Sequence, residues 1–236
     1  LKVYLQPRSV VVHHEGVSSG TDVSTGVKSW QPVNQRQFLE RWGAVLAREP
    51  TPNAVDVESA RARSRGKKSI LVVDHYIPQP DRDAGSRAIF QLVEVLVRQG
   101  YNVKFWPDNL YRDPDYVHLL QDMGVEVIYG SGYAGVFDAW ISERRDLFHA
   151  VILSRPHISV KFIDSVRKHT DSMVVFFGHD VHHLRMLEQM KVEPSEQLAI
   201  DTRWLRALEH EMWAKSDVIV YPSEDETAHV RDWLRA

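Results

Sequence analysis

"SILVVDHYIPQPDRDAGSRAIFQLVEVLVRQGYNVKFWP", residues 69–107, decides the fold. The unbroken apolar run in "SILVVDHYI" predicts a strand covered on both faces of a sheet. "PQPDRDAGSR" is a charged loop. "AIFQLVEVLVRQGY" has the apolar spacing of an amphipathic helix and stops at Gly100. "NVKFWP" is a second strand. A strand, a helix of ten or more residues and a second strand imply a right-handed crossover between parallel neighbours.

The same alternation continues downstream. "DPDYVHLLQDMG" predicts a helix with Pro114 near its first turn, and "VEVIYG" a third strand. "YAGVFDAWISERRDLF" predicts a helix and "HAVILS" a fourth strand. "HISVKFIDSVRKHT" and "SMVVFF" repeat the pattern. Helices are expected near residues 181–190 and 195–215, then a sixth strand in "SDVIVYPS" and a final helix from Glu224. The expected fold class is α/β: a Rossmann-like, doubly wound, mostly parallel sheet spanning residues 69–236.

Upstream the chain changes character. Residues 1–43 hold one β-rich run, Ser9 to Val12, a polar loop, and a helix in "QPVNQRQFLERW" with Val33, Phe38, Leu39 and Trp42 at roughly helical spacing. Such an extension cannot close a core alone and needs a partner. Residues 44–68 read as a polar linker with a basic cluster at Arg61, Arg63, Arg65, Lys67 and Lys68. The plain reading of that cluster is a solvated connector. The alternative is peripheral contact with an anionic membrane surface or a phosphorylated substrate.

Composition narrows the function classes. The chain has 236 residues, 43% hydrophobic and 26% charged, with a net charge of −3 and no cysteine. The charge gives no general attraction to nucleic acid. Without cysteine there is no disulfide, thiolate zinc site or cysteine nucleophile. No apolar run approaches the roughly 20 residues of a membrane span. A cytoplasmic location is expected. The chain begins at Leu1 in a strand-like run and ends inside a helical pattern, so a segment of a longer protein is expected.

In a doubly wound sheet, ligands sit beyond the carboxyl ends of the strands, so the residues just after each strand matter. The loop after the first strand is neither G-x-G-x-x-G nor a Walker A loop. It holds Gly85 and Ser86 at a helix start, where small residues admit a phosphate or a sugar hydroxyl. Alternatively, Asp83 or Ser86 only caps that helix. Asp81, Arg82, Asp83 and Arg87 add charge at the same rim. After the second strand, Asp108, Asn109, Tyr111 and Arg112 offer hydrogen bonds, or simply build a polar turn.

After the fifth strand comes "FFGHDVHHLR", residues 176–185. His179 and Asp180 follow Gly178, and His182, His183 and Arg185 fall on the next helix. His179 and His183 share a face if that helix starts early. Three histidines and an aspartate are a metal-ligand set, which would make the protein a metal-dependent hydrolase. They also suit acid–base or hydrogen-bonding work, with Asp180 orienting His179. The plain alternative is Asp180 as an N-cap beside exposed histidines. Upstream, His13 and Glu15, spaced as His-x-Glu after a strand, read either as metal ligands or as loop residues.

Residues 69–236 resemble the N-terminal domain of a family 4 (group 1) glycosyltransferase of GT-B fold. The resemblance rests on "ILVVDHYIPQPDRDAGSR", "GYNVKFWPDNLYRDPDY", "GVEVIYG", "FFGHDVHHLR" and "SDVIVYPSEDE", in order. Residues 1–43 resemble the C-terminal end of a family 2, GT-A-type glycosyltransferase. Together they look like a junction in a bacterial multidomain enzyme of surface-polysaccharide (O-antigen-type) synthesis. The resemblance implies sugar transfer with retention, from a nucleotide-sugar co-substrate to a glycan or lipid-linked glycan, without a divalent metal.

It further implies that Asp83, Gly85 and Ser86 face donor phosphate or acceptor, and that His179 with Asp180 lies beside the reacting sugar. His13 matches a histidine that lies near the metal–diphosphate site in family 2 enzymes. The second Rossmann domain with its E-x7-E motif and the family 2 D-x-D are not in the chain. The resemblance therefore implies that this chain depends on a further C-terminal domain and an upstream GT-A domain, and shows no turnover alone. A non-catalytic interaction module is the other alternative, with residues 1–43 docking through Phe38 and Trp42.

Overall fold

A computed structural model gives the tertiary structure, and it describes residues 9–12, 14, 20–47 and 67–235. The chain divides into two compact units, Leu1–Arg61 and Ala62–Ala236. His13, Glu15 and most of the expected linker lie outside the described residues.

The first unit differs from its sequence reading. Ser9–Val12 is not a strand: it has no regular structure, and Val10 and Val11 are fully open to solvent. The helix is present and longer than expected, α1 (Trp30–Leu46). Phe38 and Trp42 are 53% and 44% exposed. Their spacing makes no buried stripe, because polar residues interrupt the apolar ones around the whole helix.

The second unit is built on six parallel strands: β1 (Ser69–Asp74), β2 (Asn102–Pro107), β3 (Glu126–Val127), β4 (Phe148–Ser154), β5 (Met173–Phe177) and β6 (Val218–Val220). Their order is β3-β2-β1-β4-β5-β6, and each neighbouring pair is parallel. This is the doubly wound, Rossmann-like order, with its reversal between β1 and β4.

Every residue of β1 is buried. Successive side chains point to opposite faces. Leu71 and Val73 enter one core, with Trp140, Ile163, Met212 and Trp213. Ile70 and Val72 enter the other, with Ile89, Val93, Phe105 and Leu120. That two-sided burial is why the strand reads as an unbroken apolar run rather than an alternating one.

The connections are helical: α2 (Ala84–Arg98), α3 (Val117–Asp122), α4 (Phe137–Ser142), α5 (Pro156–Ser159), α6 (Ile163–His169), α7 (His182–Val192), α8 (Glu196–Lys215) and α9 (Glu224–Arg235). The helix expected over 157–170 is two short ones. Pro156 opens the first, and the chain turns at Lys161 and Phe162 before the second begins. Among the described residues no helix is long and apolar enough to cross a membrane.

Candidate functional site

The reversal between β1 and β4 brings four polar side chains to one edge of the sheet. Asp74 ends β1 and is 2% exposed. Ser154 ends β4 and is fully buried. Arg155 follows it and donates from Nε to Oδ1 of Asp74 at 2.9 Å. From the adjacent β5, His179 reaches across so that its Nε2 lies 2.8 Å from Oγ of Ser154.

Arg155 holds an uncommon backbone conformation, φ 65° and ψ 126°. The ψ suits a residue preceding proline. The positive φ costs a non-glycine residue roughly 1–3 kcal/mol and persists only where surroundings enforce it. The ion pair to buried Asp74 is that constraint. Asp74 is pushed up by burial, while Arg155, the His75 N–H and the Ser154 hydroxyl work to hold it down.

Facing them is the start of α2. Asp83 caps the helix, accepting from the Ser86 N–H at 2.7 Å and from its hydroxyl at 2.6 Å. Tyr76 donates a further bond to Asp83 at 3.0 Å. Burial raises the Asp83 pKa, but the Ser86 and Tyr76 bonds and the Arg155 charge bring it below the usual carboxylate value.

Gly85, in the first turn, lies under the orphaned ends of the other two groups. A Cβ there would sit 2.9 Å from Nη2 of Arg155 and 3.4 Å from Nδ1 of His179. Both nitrogens are buried and without a hydrogen-bond partner. Buried polar atoms are rarely left so in a folded protein. The Phe177 ring stands edge-on to the His179 ring at 5.3 Å. Burial first, then Arg155 and His182, lower the His179 pKa to about 4. At neutral pH its imidazole is uncharged.

The expected site residues divide in space. Asp83, Gly85 and His179 converge. Ser86 is spent on Asp83, so the capping alternative describes its role. Arg87 turns its Nε to the carbonyl of Pro80. Asp108 pairs with Lys161 at 2.7 Å. Asn109 accepts from the N–H of Tyr111 at 3.0 Å, which makes that segment the polar turn.

Asp180 does not orient His179. It pairs with Arg185 at 2.8 Å and lies 3.2 Å from Nδ1 of His182. Nor does it cap α7, whose N-cap position is Val181. The cap comes from α8: Glu209 accepts from the N–H of His182 at 2.7 Å and of His183 at 3.1 Å.

The histidine cluster is likewise not a metal set. α7 begins at His182, so His179 precedes it and faces Ser154, while His183 is buried against Glu209 at 2.6 Å. Among the described residues no three histidine or carboxylate groups converge on a metal-sized space. The convergence that the hydrolase expectation needs is not found at these residues.

Sequence reasoning missed Asp74, Ser154 and Arg155. "SRP" after β4 is a polar triplet that looks like an ordinary strand exit, and Asp74 looks like the end of an apolar strand. The available signal was position: all three stand at strand carboxyl ends beside the reversal.

No protein-family model matches the chain, and no curated protein matches it. Among solved structures, it is similar to the NAD(P)-binding domain of an exopolyphosphatase-related protein from Archaeoglobus fulgidus. The identity is 12% and the TM-score 0.38, over 72% of this chain and 98% of that one. It is also similar to the GsuK channel bound to NAD, at 15% identity and a TM-score of 0.37, over 82% of this chain and 27% of that one. Likeness at this level assigns no ligand to this chain.

Proposed function

We propose that the Ala62–Ala236 unit is the acceptor-side half of a retaining glycosyltransferase, with the notch at Gly85 as its sugar-handling edge. The observation that supports this reading is the pair of orphaned nitrogens, Nη2 of Arg155 and Nδ1 of His179, aimed at the Gly85 backbone. A donor and a neutral imidazole at one edge match a hydroxyl-rich ligand. In this reading the stretches that resemble family 4 glycosyltransferases give the reaction class. In this reading a second Rossmann-type domain brings the nucleotide-sugar, and the acceptor is a glycan or lipid-linked glycan. His179 and Arg155, in this reading, hold sugar hydroxyls in the cleft.

Dinucleotide binding is the reading to test against it. The β1–α2 turn has one glycine where a dinucleotide fingerprint has three. Saturation-transfer NMR with a panel of nucleotide-sugars, free nucleotides and NAD separates the two. The expected result is saturation of sugar protons that is lost in Gly85→Ala. Saturation of NAD alone, lost in the same variant, overturns the proposal.

A further inference from the structure

We propose that His210 is a proton sensor: charging it releases α9 from α7 and α8 and loosens the loop that carries His179, while the sheet stays folded. The inference is independent of what the Gly85 notch binds.

Three imidazoles meet where α7, α8 and α9 pack together, one from each helix. The His183 ring centre lies 5.9 Å from that of His210 and 5.8 Å from that of His229. His210 stands between two indoles, 5.1 Å from Trp213 of its own helix and 4.7 Å from Trp233 of α9. Buried Val230 and half-buried Trp233 join α9 to the core. The fastening of α9 thus includes a stack of rings with a titratable member at its centre.

The charged groups around His210 decide what a proton does there. Its own helix supplies Arg206, one turn before it, and Glu209. α7 supplies His183, and α9 supplies His229. Glu226 of α9 is turned to the Val181 N–H. Glu209 is already committed: it holds Nδ1 of His183 at 2.6 Å and the first N–H groups of α7. Among the described residues no carboxylate bonds to His210 or His229. Burial first, then Arg206, His183 and His229, lower the His210 pKa against the opposing pull of Glu209.

A charged imidazole is attracted to both indole rings. Trp213 lies one turn away on the same helix, so that attraction survives release and only the share from Trp233 is lost. Release also returns the charge to water and takes His229 out of range. A histidine whose folded pKa lies below its unfolded one gives stability that is full above the unfolded value and is lost as pH falls. Docking of α9 should therefore weaken below 6.5, the ordinary value, by at most about tenfold per pH unit, the limit for one proton.

α9 also reaches the site. Glu226, in its first turn, accepts the N–H of Val181 at 3.0 Å. Val181 lies two residues after His179, between β5 and α7. An α9 that leaves takes this anchor with it.

The test is fluorine-19 NMR of the chain labelled with 5-fluorotryptophan. Trp233 and Trp106 are assigned by signal loss in Trp233→Phe and Trp106→Phe, and exposure is read as the shift between light and heavy water. Trp106 is 2% exposed in the core and reports on the fold as a whole. Between about pH 7.5 and about pH 5.5, the range where histidine titrates, the Trp233 signal should become solvent-exposed and the Trp106 signal should not. His210→Phe keeps a ring between the indoles but takes no proton, so its Trp233 should not respond to acid. His210→Gln, also uncharged, serves the same end if the larger ring disturbs packing. Amide exchange at Val181, corrected for its intrinsic pH dependence, should rise in acid in the wild type and in neither variant. A Trp233 signal that stays put, one that moves only together with Trp106, or one that moves equally in both variants overturns the proposal. An unchanged Val181 amide in a chain whose α9 has let go overturns the link to the loop.

Discussion

Glu209 of α8 and His183 of α7 are joined by a 2.6 Å hydrogen bond from Nδ1 to the carboxylate, and Glu209 is fully buried. The same carboxylate takes the first N–H groups of α7, so a side chain from another helix does the work of an N-cap. A negative charge there also complements the positive end of the helix.

Glu209 should therefore make the fold acid-sensitive at low pH. Burial raises its pKa, but the His182 and His183 bonds, from side chain and backbone, overcome this and hold it at about 2, against 4.5 in an unfolded chain. A depressed carboxyl pKa gives stability that is present above the unfolded value and is lost as pH falls through the folded one. Glu209→Ala leaves buried donors unpaired and should cost roughly 3–5 kcal/mol, about 10 °C in melting temperature. Thermal denaturation at neutral pH and near pH 3 checks both: the penalty should shrink in acid.

Gly178 has no room for a side chain. Its Cβ would meet Cε1 of Tyr221 at 2.1 Å and Cζ at 2.3 Å. The Tyr221 ring is itself held by a bond from the Trp213 indole at 3.0 Å. Gly178→Ala should lose about 3 kcal/mol in urea denaturation, at the upper end for overpacking. Combined with Tyr221→Ala, the same substitution should cost far less, a coupling of roughly 1–3 kcal/mol in a double-mutant cycle.

Gly85→Ala should behave in the opposite way. Its nearest contacts are side-chain ends rather than backbone, Nη2 of Arg155 first at 2.9 Å, so the new methyl is met by a small shift of that guanidinium. Alanine also favours a helix by up to about 1 kcal/mol over glycine. The denaturation midpoint should stay nearly unchanged while glycoside binding, followed by NMR titration, is lost.

His179 should add a second acid dependence at milder pH. Its pKa falls from 6.5 to about 4 on folding, by burial and then the Arg155 charge. Between those values the unfolded chain binds a proton that the folded one refuses, so stability falls as pH drops from 6.5 toward 4. The difference amounts to ~3 kcal/mol. A stability–pH profile of His179→Gln should lack this component.

Asp74→Asn should strand the Arg155 charge in a buried setting at a cost of roughly 3–5 kcal/mol. Calorimetric melting of Asp74→Asn and of the double variant with Arg155→Gly checks it. The double variant should recover part of the loss, because glycine accepts the positive φ and removes the unpaired charge.

The strands and long helices were legible because their signal is local. β1 advertises burial on both faces through Ile70 to Val73, and α2 repeats its apolar residues with the helical period. The edge of the sheet that carries the site followed from the same alternation. The reading failed at Ser9 to Val12, which look like a strand, yet a strand needs a neighbour to bond and among the described residues this run pairs with none.

By itself, then, the sequence determined an open parallel sheet with helical crossovers, and it placed Asp83, Gly85 and His179 at the carboxyl ends of strands. Tertiary structure alone decided what those residues do. The order of strands put Asp74 beside Arg155, 81 positions apart in sequence, and Ser154 beside His179, 25 apart. It also sent His183 to Glu209, 26 positions on. Hydrogen bonds and charges act over a few ångströms of space, and sequence spacing carries that distance only within one helix or strand.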